Sequence, residues 1–153
     1  MQNFPVALSL CSQYDETQLN IRVGEALDAC GWAPVRSDKI LLKPNLIRAV
    51  PLACTHPLIV KAAASWLLDH GVHITIADSP GGLYNHAALS GIYQVTGMQA
   101  AAEEEGVCLN DDFTSVQVEI TGALKSFVFP VIRPAAEADL VINICKLKTH
   151  CMT

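Results

Sequence analysis

Hydrophobic residues recur along the chain in two patterns, as short apolar runs and as segments with helical spacing. The short runs predict strands at Val6 to Cys11, Lys39 to Lys43, Val72 to Ala77, Val107 to Leu109 and Leu140 to Ile144. The helical spacing predicts four helices. The first follows Asp15, which would cap it, and the second follows Thr55-His56-Pro57. The other two cover Ala87 to Gln94 and Met98 to Glu105. Strands that alternate with helices are typical of a mainly parallel α/β sheet.

One pair of segments departs from this alternation. Val116 to Ile120 and Lys125 to Val131 alternate apolar and polar positions across a turn that contains Gly122, and predict a small antiparallel hairpin beside the main sheet. Ala135 to Ala138 predicts a brief helical turn before the last strand. The whole pattern predicts a single α/β domain over residues 1–153, with flanking helices.

The composition excludes several classes of protein. The chain has 153 residues, of which 51% are hydrophobic and 16% charged, and this is too apolar for a disordered chain. Its net charge of −5 gives no overall positive field to hold a nucleic acid. No apolar run is long enough to span a bilayer, and the N-terminus lacks the features of a signal peptide. These features favour a cytoplasmic location without a membrane span.

Polar segments follow three of the predicted strands. They are Lys43-Pro44-Asn45, Asp78-Ser79-Pro80-Gly81-Gly82 and Lys146-Leu147-Lys148-Thr149-His150. Because ligands of open parallel sheets bind outside the carboxyl ends of the strands, we expect these segments to face the same edge and to form a site there.

The residue types in these segments predict an anionic ligand. Lys43, Lys146 and Lys148 would pair with a phosphate or carboxylate group. The backbone N–H groups of Gly81 and Gly82 could approach the anion without a Cβ atom in the way.

Four further residues complete the predicted site. Asp78 and His150 are the candidates for acid–base chemistry, with metal binding by either as an alternative, and Asn45 and Ser79 would orient them. The competing interpretation is purely structural, because every α/β sheet needs polar turns after its strands. The sequence leaves open whether the domain is an enzyme.

Other residues with chemical potential are assigned to structure. His56 would cap a helix, with a base or metal ligand as the alternative, and the histidines at 70, 73 and 86 would lie at the surface. Most of the six cysteines are expected to be buried free thiols, because they form no C-x-x-C pair, and no metal site is predicted in this chain. The chain contains neither G-x-G-x-x-G nor G-x-x-x-x-G-K-[ST], so the standard nucleotide-binding motifs have no support.

Five motifs in order resemble those of the DUF362 family. They are Leu42-Lys43-Pro44-Asn45-Leu46-Ile47, Thr55-His56-Pro57, Asp78-Ser79-Pro80-Gly81-Gly82, Thr96-Gly97-Met98 and Lys146-Leu147-Lys148-Thr149-His150. The family has no established general activity, so the resemblance implies an architecture and a set of motifs and no particular reaction.

The resemblance also implies a larger context. Many relatives resemble iron–sulfur proteins in which this domain is joined to a ferredoxin-like module with a C-x-x-C-x-x-C run, which this chain lacks, so a 4Fe-4S cluster is expected only in a longer parent. Relatives continue beyond the last motif, so the chain resembles an N-terminal fragment, an incomplete domain expected to expose hydrophobic surface and to self-associate.

Three hypotheses for function therefore stay open. The first is an anion- or metal-dependent site at the carboxyl edge of the sheet. The second is an accessory domain that docks a ferredoxin-like module or another partner in an iron–sulfur redox protein and catalyses nothing itself. The third is a truncated, non-functional fragment.

Overall fold

The computed structural model describes residues 4–36, 38–122 and 124–149. Its strands are β1 (Lys39–Pro44), β2 (His73–Ile76), β3 (Cys108–Leu109), β4 (Ser115–Glu119), β5 (Val128–Ile132) and β6 (Leu140–Ile144). Its helices are α1 (Glu16–Ala29), α2 (Pro57–Leu68), α3 (His86–Thr96), α4 (Met98–Glu105) and α5 (Arg133–Glu137), with a short 3-10 helix at Pro51–Ala53.

Four of the strands form a parallel sheet in the order β3-β2-β1-β6, and β4 and β5 form a separate antiparallel pair. The register across the parallel sheet places Leu41 opposite Thr75 on one side and opposite Val141 on the other. Thr75 in turn lies opposite Cys108. This arrangement confirms the predicted α/β architecture, with a mainly parallel sheet, flanking helices and a small hairpin.

One face of the parallel sheet carries the hydrophobic core. Ile40, Leu42, Ile74 and Ile76 point to this face and are at least 95% buried against side chains of α2, α3 and α4. Each such side chain contributes roughly 1.5–3 kcal/mol when it is fully removed from water. The helices therefore hold β1 and β2 at the centre of the fold and fix where their carboxyl ends lie.

The opposite face of the sheet is only partly covered. Helix α5 contacts β1 and Leu41 is buried there, but Val141 on β6 and Cys108 on β3 are exposed. A cavity of about 390 Å³ lies over this face between β1, β2, β3 and α5. The expected exposed hydrophobic surface is thus present, both here and in the N-terminal residues before α1.

The first helix begins and ends where the sequence predicts. The Asp15 carboxylate caps α1 by accepting the backbone N–H of Gln18 at 2.9 Å. After the last turn, Gly31 adopts a φ of 63° and its N–H donates to the Asp28 carbonyl, which satisfies a backbone acceptor at the helix end.

One detail of the sequence prediction is wrong, and the predicted cap of α2 by His56 is confirmed. Residues 6–11 form no strand, and Val6, Leu8 and Leu10 are exposed, because an apolar pattern defines the faces of a strand but supplies no neighbour for its backbone hydrogen bonds. At α2 the capping residue is His56, with Pro57 at the first helical position, while the Thr55 side chain bonds to other elements. Among the described residues, no helix is both long and apolar enough to cross a membrane.

Candidate functional site

The three polar segments singled out in the sequence lie at one edge of the sheet. They follow β1, β2 and β6, which run parallel, so their carboxyl ends meet there. Helices α2 and α3 begin from the same side, since each starts after a loop that leaves one of these strands. In the described part of the chain, the three segments therefore face the same edge of the sheet, as the predicted site requires.

A buried carboxylate joins the ends of β1 and β2. One oxygen of Asp78, a residue that is 5% exposed, lies 2.8 Å from the Nζ atom of Lys43. Its other oxygen accepts the backbone N–H of Leu46 at 2.7 Å. Both oxygens of Asp78 are thus engaged, and the Lys43 ammonium is held at the end of its strand, with 36% of its side chain still exposed.

The hydroxyl of Thr55 joins the ends of β1 and β6. Thr55 Oγ1 accepts the backbone N–H of Asn45 at 2.9 Å and donates to the carbonyl of Ile144 at 2.6 Å. The residue is 3% exposed, so both bonds are shielded from water. Sequence analysis placed Thr55 only in the motif that precedes α2, and no local pattern predicts its bond to β6.

The predicted ligand-binding residues near the ends of β1 and β2 differ in how exposed they are. The side-chain oxygen of Asn45 is buried and has no hydrogen-bond partner within the described residues. Ser79, Gly81 and Gly82 lie on an exposed part of the loop after β2. Gly82 has a φ of 102°, which L side chains rarely adopt, and no atom lies within 4 Å of where its Cβ would be.

The two lysines after β6 lie beside the segment that links β1 to α2. The Lys148 Nζ atom donates to the carbonyl of Ala53 at 2.7 Å. Lys146 is close enough to His56 for its charge to lower the pKa of the imidazole. His150, the other predicted acid–base residue, lies outside the described residues.

The charge at this edge has the opposite sign to that of the whole chain. The segments 43–56, 78–85 and 144–149 contain four basic side chains, which we call the basic edge: Lys43, Arg48, Lys146 and Lys148. Their one acidic side chain is Asp78. The complete chain instead has 15 Asp and Glu residues against 10 Lys and Arg residues. The basic edge is therefore a local positive region on an acidic protein.

A polar network that sequence analysis missed follows β3. The backbone N–H of Asn110 donates to Ile76 at 3.0 Å, and its side-chain amide donates to the carbonyl of Asp112 at 2.9 Å. The hydroxyl of Tyr84 donates to the same carbonyl at 3.2 Å. The position of Asn110 directly after a predicted strand was an available signal, of the same kind as that used for the other three segments.

His56 is held between an aromatic ring and a helix end. Its Nδ1 atom accepts the backbone N–H of Leu58 at 3.3 Å, and its ring stacks on that of Tyr14 with centroids 3.8 Å apart. Partial burial, and then the charge of Lys146, lower the pKa of this imidazole below 6.5. The neutral form is therefore the one that the fold favours.

This shift predicts a pH dependence of stability. Because the pKa of His56 is lower in the folded chain, the unfolded chain binds the proton more readily as the pH falls below 6.5. The stabilisation present above pH 6.5 is thus lost as the pH falls towards the lowered pKa. We expect the Tm of the wild-type chain to fall more between pH 7 and 5 than that of His56→Asn, which keeps a capping side chain. Parallel pH dependences in thermal denaturation would remove His56 as the cause.

The cysteines differ from the sequence prediction. Of the five described, Cys54 is buried, Cys108 and Cys145 are exposed, and Cys11 and Cys30 are intermediate, so the expectation that most are buried is wrong. Cys108 lies in β3 and Cys145 follows β6, and both strands are incompletely covered, so an apolar sequence does not guarantee burial there.

In the ranges that the structure describes, no three His, Cys, Asp or Glu side chains lie together as metal ligands.

Comparison with known proteins gives one match. A family model described as a domain of unknown function, DUF362, matches residues 40–153, from β1 to the last residue of the chain. The matched range contains all three polar segments of the site and excludes α1. No curated protein and no solved structure matches the chain significantly. The chain therefore belongs to the DUF362 family of domains of unknown function.

Proposed function

We propose that this domain binds a small molecule through a phosphate or carboxylate group at the basic edge. The observation that carries the proposal is that the segments of this edge hold four cationic side chains and a single acidic one, the buried Asp78, on a chain whose net charge is −5. An anion held there gains from charge-assisted hydrogen bonds with these side chains.

Backbone groups at the same edge support an anionic ligand. Helices α2 and α3 begin there, and the N-terminal end of a helix carries a partial positive charge and free N–H groups. The open space beside Gly82 lets a ligand approach the loop after β2 closely. The buried side-chain oxygen of Asn45 lacks a partner among the described residues and would accept a hydrogen bond from a hydroxyl or N–H group of the ligand.

Asp78 is proposed to position Lys43. Its two oxygens bind Lys43 and the Leu46 N–H, so the carboxylate fixes the direction of the ammonium and the path of the backbone behind it. The acid–base roles of Asp78 and His150 stay predictions, and the proposal includes no chemical step.

The proposal predicts that phosphate stabilises the chain through its lysines. In inorganic phosphate at about ten times the Kd, at constant ionic strength, binding should add about 1.4 kcal/mol and raise the Tm by about 3–5 °C. Lys43→Met and Lys148→Met should lose most of this rise because each removes one cation from the basic edge. Lys125→Met, which removes an exposed lysine from the β4–β5 connection, should retain it.

A parallel titration with succinate separates the two ligand classes. A rise in Tm with phosphate alone identifies a phosphate-bearing ligand, and a rise with succinate alone identifies a carboxylate. Equal responses of Lys43→Met, Lys148→Met and Lys125→Met would show that the anions act as general salts and would overturn the proposal. So would the absence of a response to either anion in the wild-type chain.

The accessory role in an iron–sulfur protein stays a prediction, and no contact among the described residues favours it. It is checked separately, by iron content and visible absorbance of the anaerobically purified parent protein.

A further inference from the structure

A second cavity lies at the other end of the carboxyl edge, beyond β2. It has a volume of about 140 Å³ and opens between α3, the first turn of α4 and the end of β3. Two leucines line it, Leu89 and Leu109, and the remaining lining residues are polar: His86, Ser90, Tyr93, Gln99, Asn110 and Asp111. None of them belongs to the basic edge.

The phenol of Tyr93 is the unusual group in this cavity. Tyr93 is 4% exposed, and its hydroxyl has no hydrogen-bond partner within the described residues. The Asn110 side chain lies near enough to the phenol to offset part of the rise in its pKa, but the two groups do not reach hydrogen-bond geometry. The Asn110 amide instead donates to the Asp112 carbonyl and lies 3.5 Å from the Tyr84 hydroxyl. A buried hydroxyl without a partner is rare in folded proteins, so its position in a cavity lining indicates that the partner is a molecule inside the cavity.

Burial determines which protonation state of Tyr93 meets that molecule. Loss of water around the ring raises the pKa of the Tyr93 phenol above its ordinary value. The group therefore stays protonated at neutral pH and presents an O–H donor, as well as an acceptor oxygen, at the buried end of the cavity.

The other lining groups favour a neutral ligand over an anion. The residues around the cavity include the carboxylate of Asp111 at its exposed mouth and no lysine or arginine. The Gln99 amide nitrogen donates to Glu103 at 2.9 Å, which leaves the Gln99 carbonyl oxygen as an acceptor. Ser90 supplies a hydroxyl that both donates and accepts. The cavity thus offers several acceptors together with the donor of Tyr93.

We propose that this cavity binds a small neutral polyhydroxy molecule. Each hydroxyl of such a molecule both donates and accepts, so it can meet the Tyr93 donor and the Gln99 and Asp111 acceptors at once. An ammonium ion could donate to these acceptors but would leave the Tyr93 O–H without an acceptor, and an anion would be repelled by Asp111. The volume of about 140 Å³ equals that of roughly five molecules of liquid water, which suits a compound of three or four carbons.

The test is a titration of the complete chain with erythritol, followed by amide resonances in heteronuclear NMR spectra. We expect saturable shifts confined to residues around the cavity, such as Leu89, Ser90 and Asn110. Tyr93→Phe, which keeps the ring and removes only the hydroxyl, should weaken binding at least tenfold. Tyr14→Phe is the matched control at an exposed site and should bind like the wild-type chain.

Two results would overturn the proposal. Shifts that grow linearly and spread over the whole surface would show that erythritol acts as a co-solvent and that the cavity holds only water. Saturable shifts of the same affinity in Tyr93→Phe would show that the hydroxyl does not contact the ligand. Neither result depends on phosphate, so the test is independent of the function proposed for the basic edge.

Discussion

Replacing Asp78 with alanine is expected to lower the free energy of unfolding by about 2–4 kcal/mol. The change leaves the buried N–H of Leu46 without its acceptor, which alone costs about 1–3 kcal/mol. It also removes the partner of Lys43, at a smaller cost because the lysine side chain is 36% exposed and can turn towards water. Urea denaturation of the two chains measures the difference.

Asp78→Asn is the control that separates these two contributions. Asparagine keeps an oxygen that can accept the Leu46 N–H and loses the charge that holds Lys43. We expect a loss of about 1 kcal/mol, in the range of an ion pair that is partly accessible to solvent. Equal losses in the two variants would assign the whole effect to the charge and contradict the role given to the Leu46 hydrogen bond.

Replacing Thr55 with valine is the second change with a large expected effect. Valine has almost the same shape, so packing is retained while both hydrogen bonds of the hydroxyl are lost. The N–H of Asn45 then has no acceptor, and the carbonyl of Ile144 loses one donor. Both groups lie beside position 55, where the threonine is 3% exposed. We expect a loss of about 2–3 kcal/mol in the free energy of unfolding, measured in urea.

Thr55→Ser keeps the hydroxyl and removes one methyl group, so it provides the matched comparison. Its expected loss is about 1 kcal/mol, as for one buried methyl or methylene group. If Thr55→Val proves as stable as Thr55→Ser, the hydroxyl does not tie β1 to β6 and the described frame of the basic edge is wrong.

The sequence predicts the sheet and its polar edge because both depend on local patterns. Apolar runs mark β1, β2 and β6, and the direction of parallel strands then places the residues after them at one edge. Lys43 and Asp78 could be assigned to the same site on this basis alone. Their direct contact could not, because a distance of 2.8 Å between side chains depends on the register of β1 against β2.

The remaining features depend on contacts between distant residues. Thr55 bonds to Ile144, which lies 89 positions further along the chain, and no spacing rule relates the two. The spacing of apolar residues in the sequence predicts only that Tyr93 is on the apolar face of a helix. Its burial without a hydrogen-bond partner depends on how α3 packs on the core. The apolar residues before α1 failed as a strand prediction for the same reason, since pairing is a property of two segments.

The pairing of β6 has a consequence for how the chain behaves at high concentration. Within the described residues β6 pairs with β1 alone, so the backbone groups along its other side have no strand to bond. Its sequence, Leu140-Val141-Ile142-Asn143-Ile144, contains no charge and no proline, the two devices that commonly prevent strands of different molecules from joining. We predict that β-pairing between molecules competes with ligand titrations at millimolar protein. Affinities of this chain are therefore best compared at dilutions where light scattering shows a constant molecular mass.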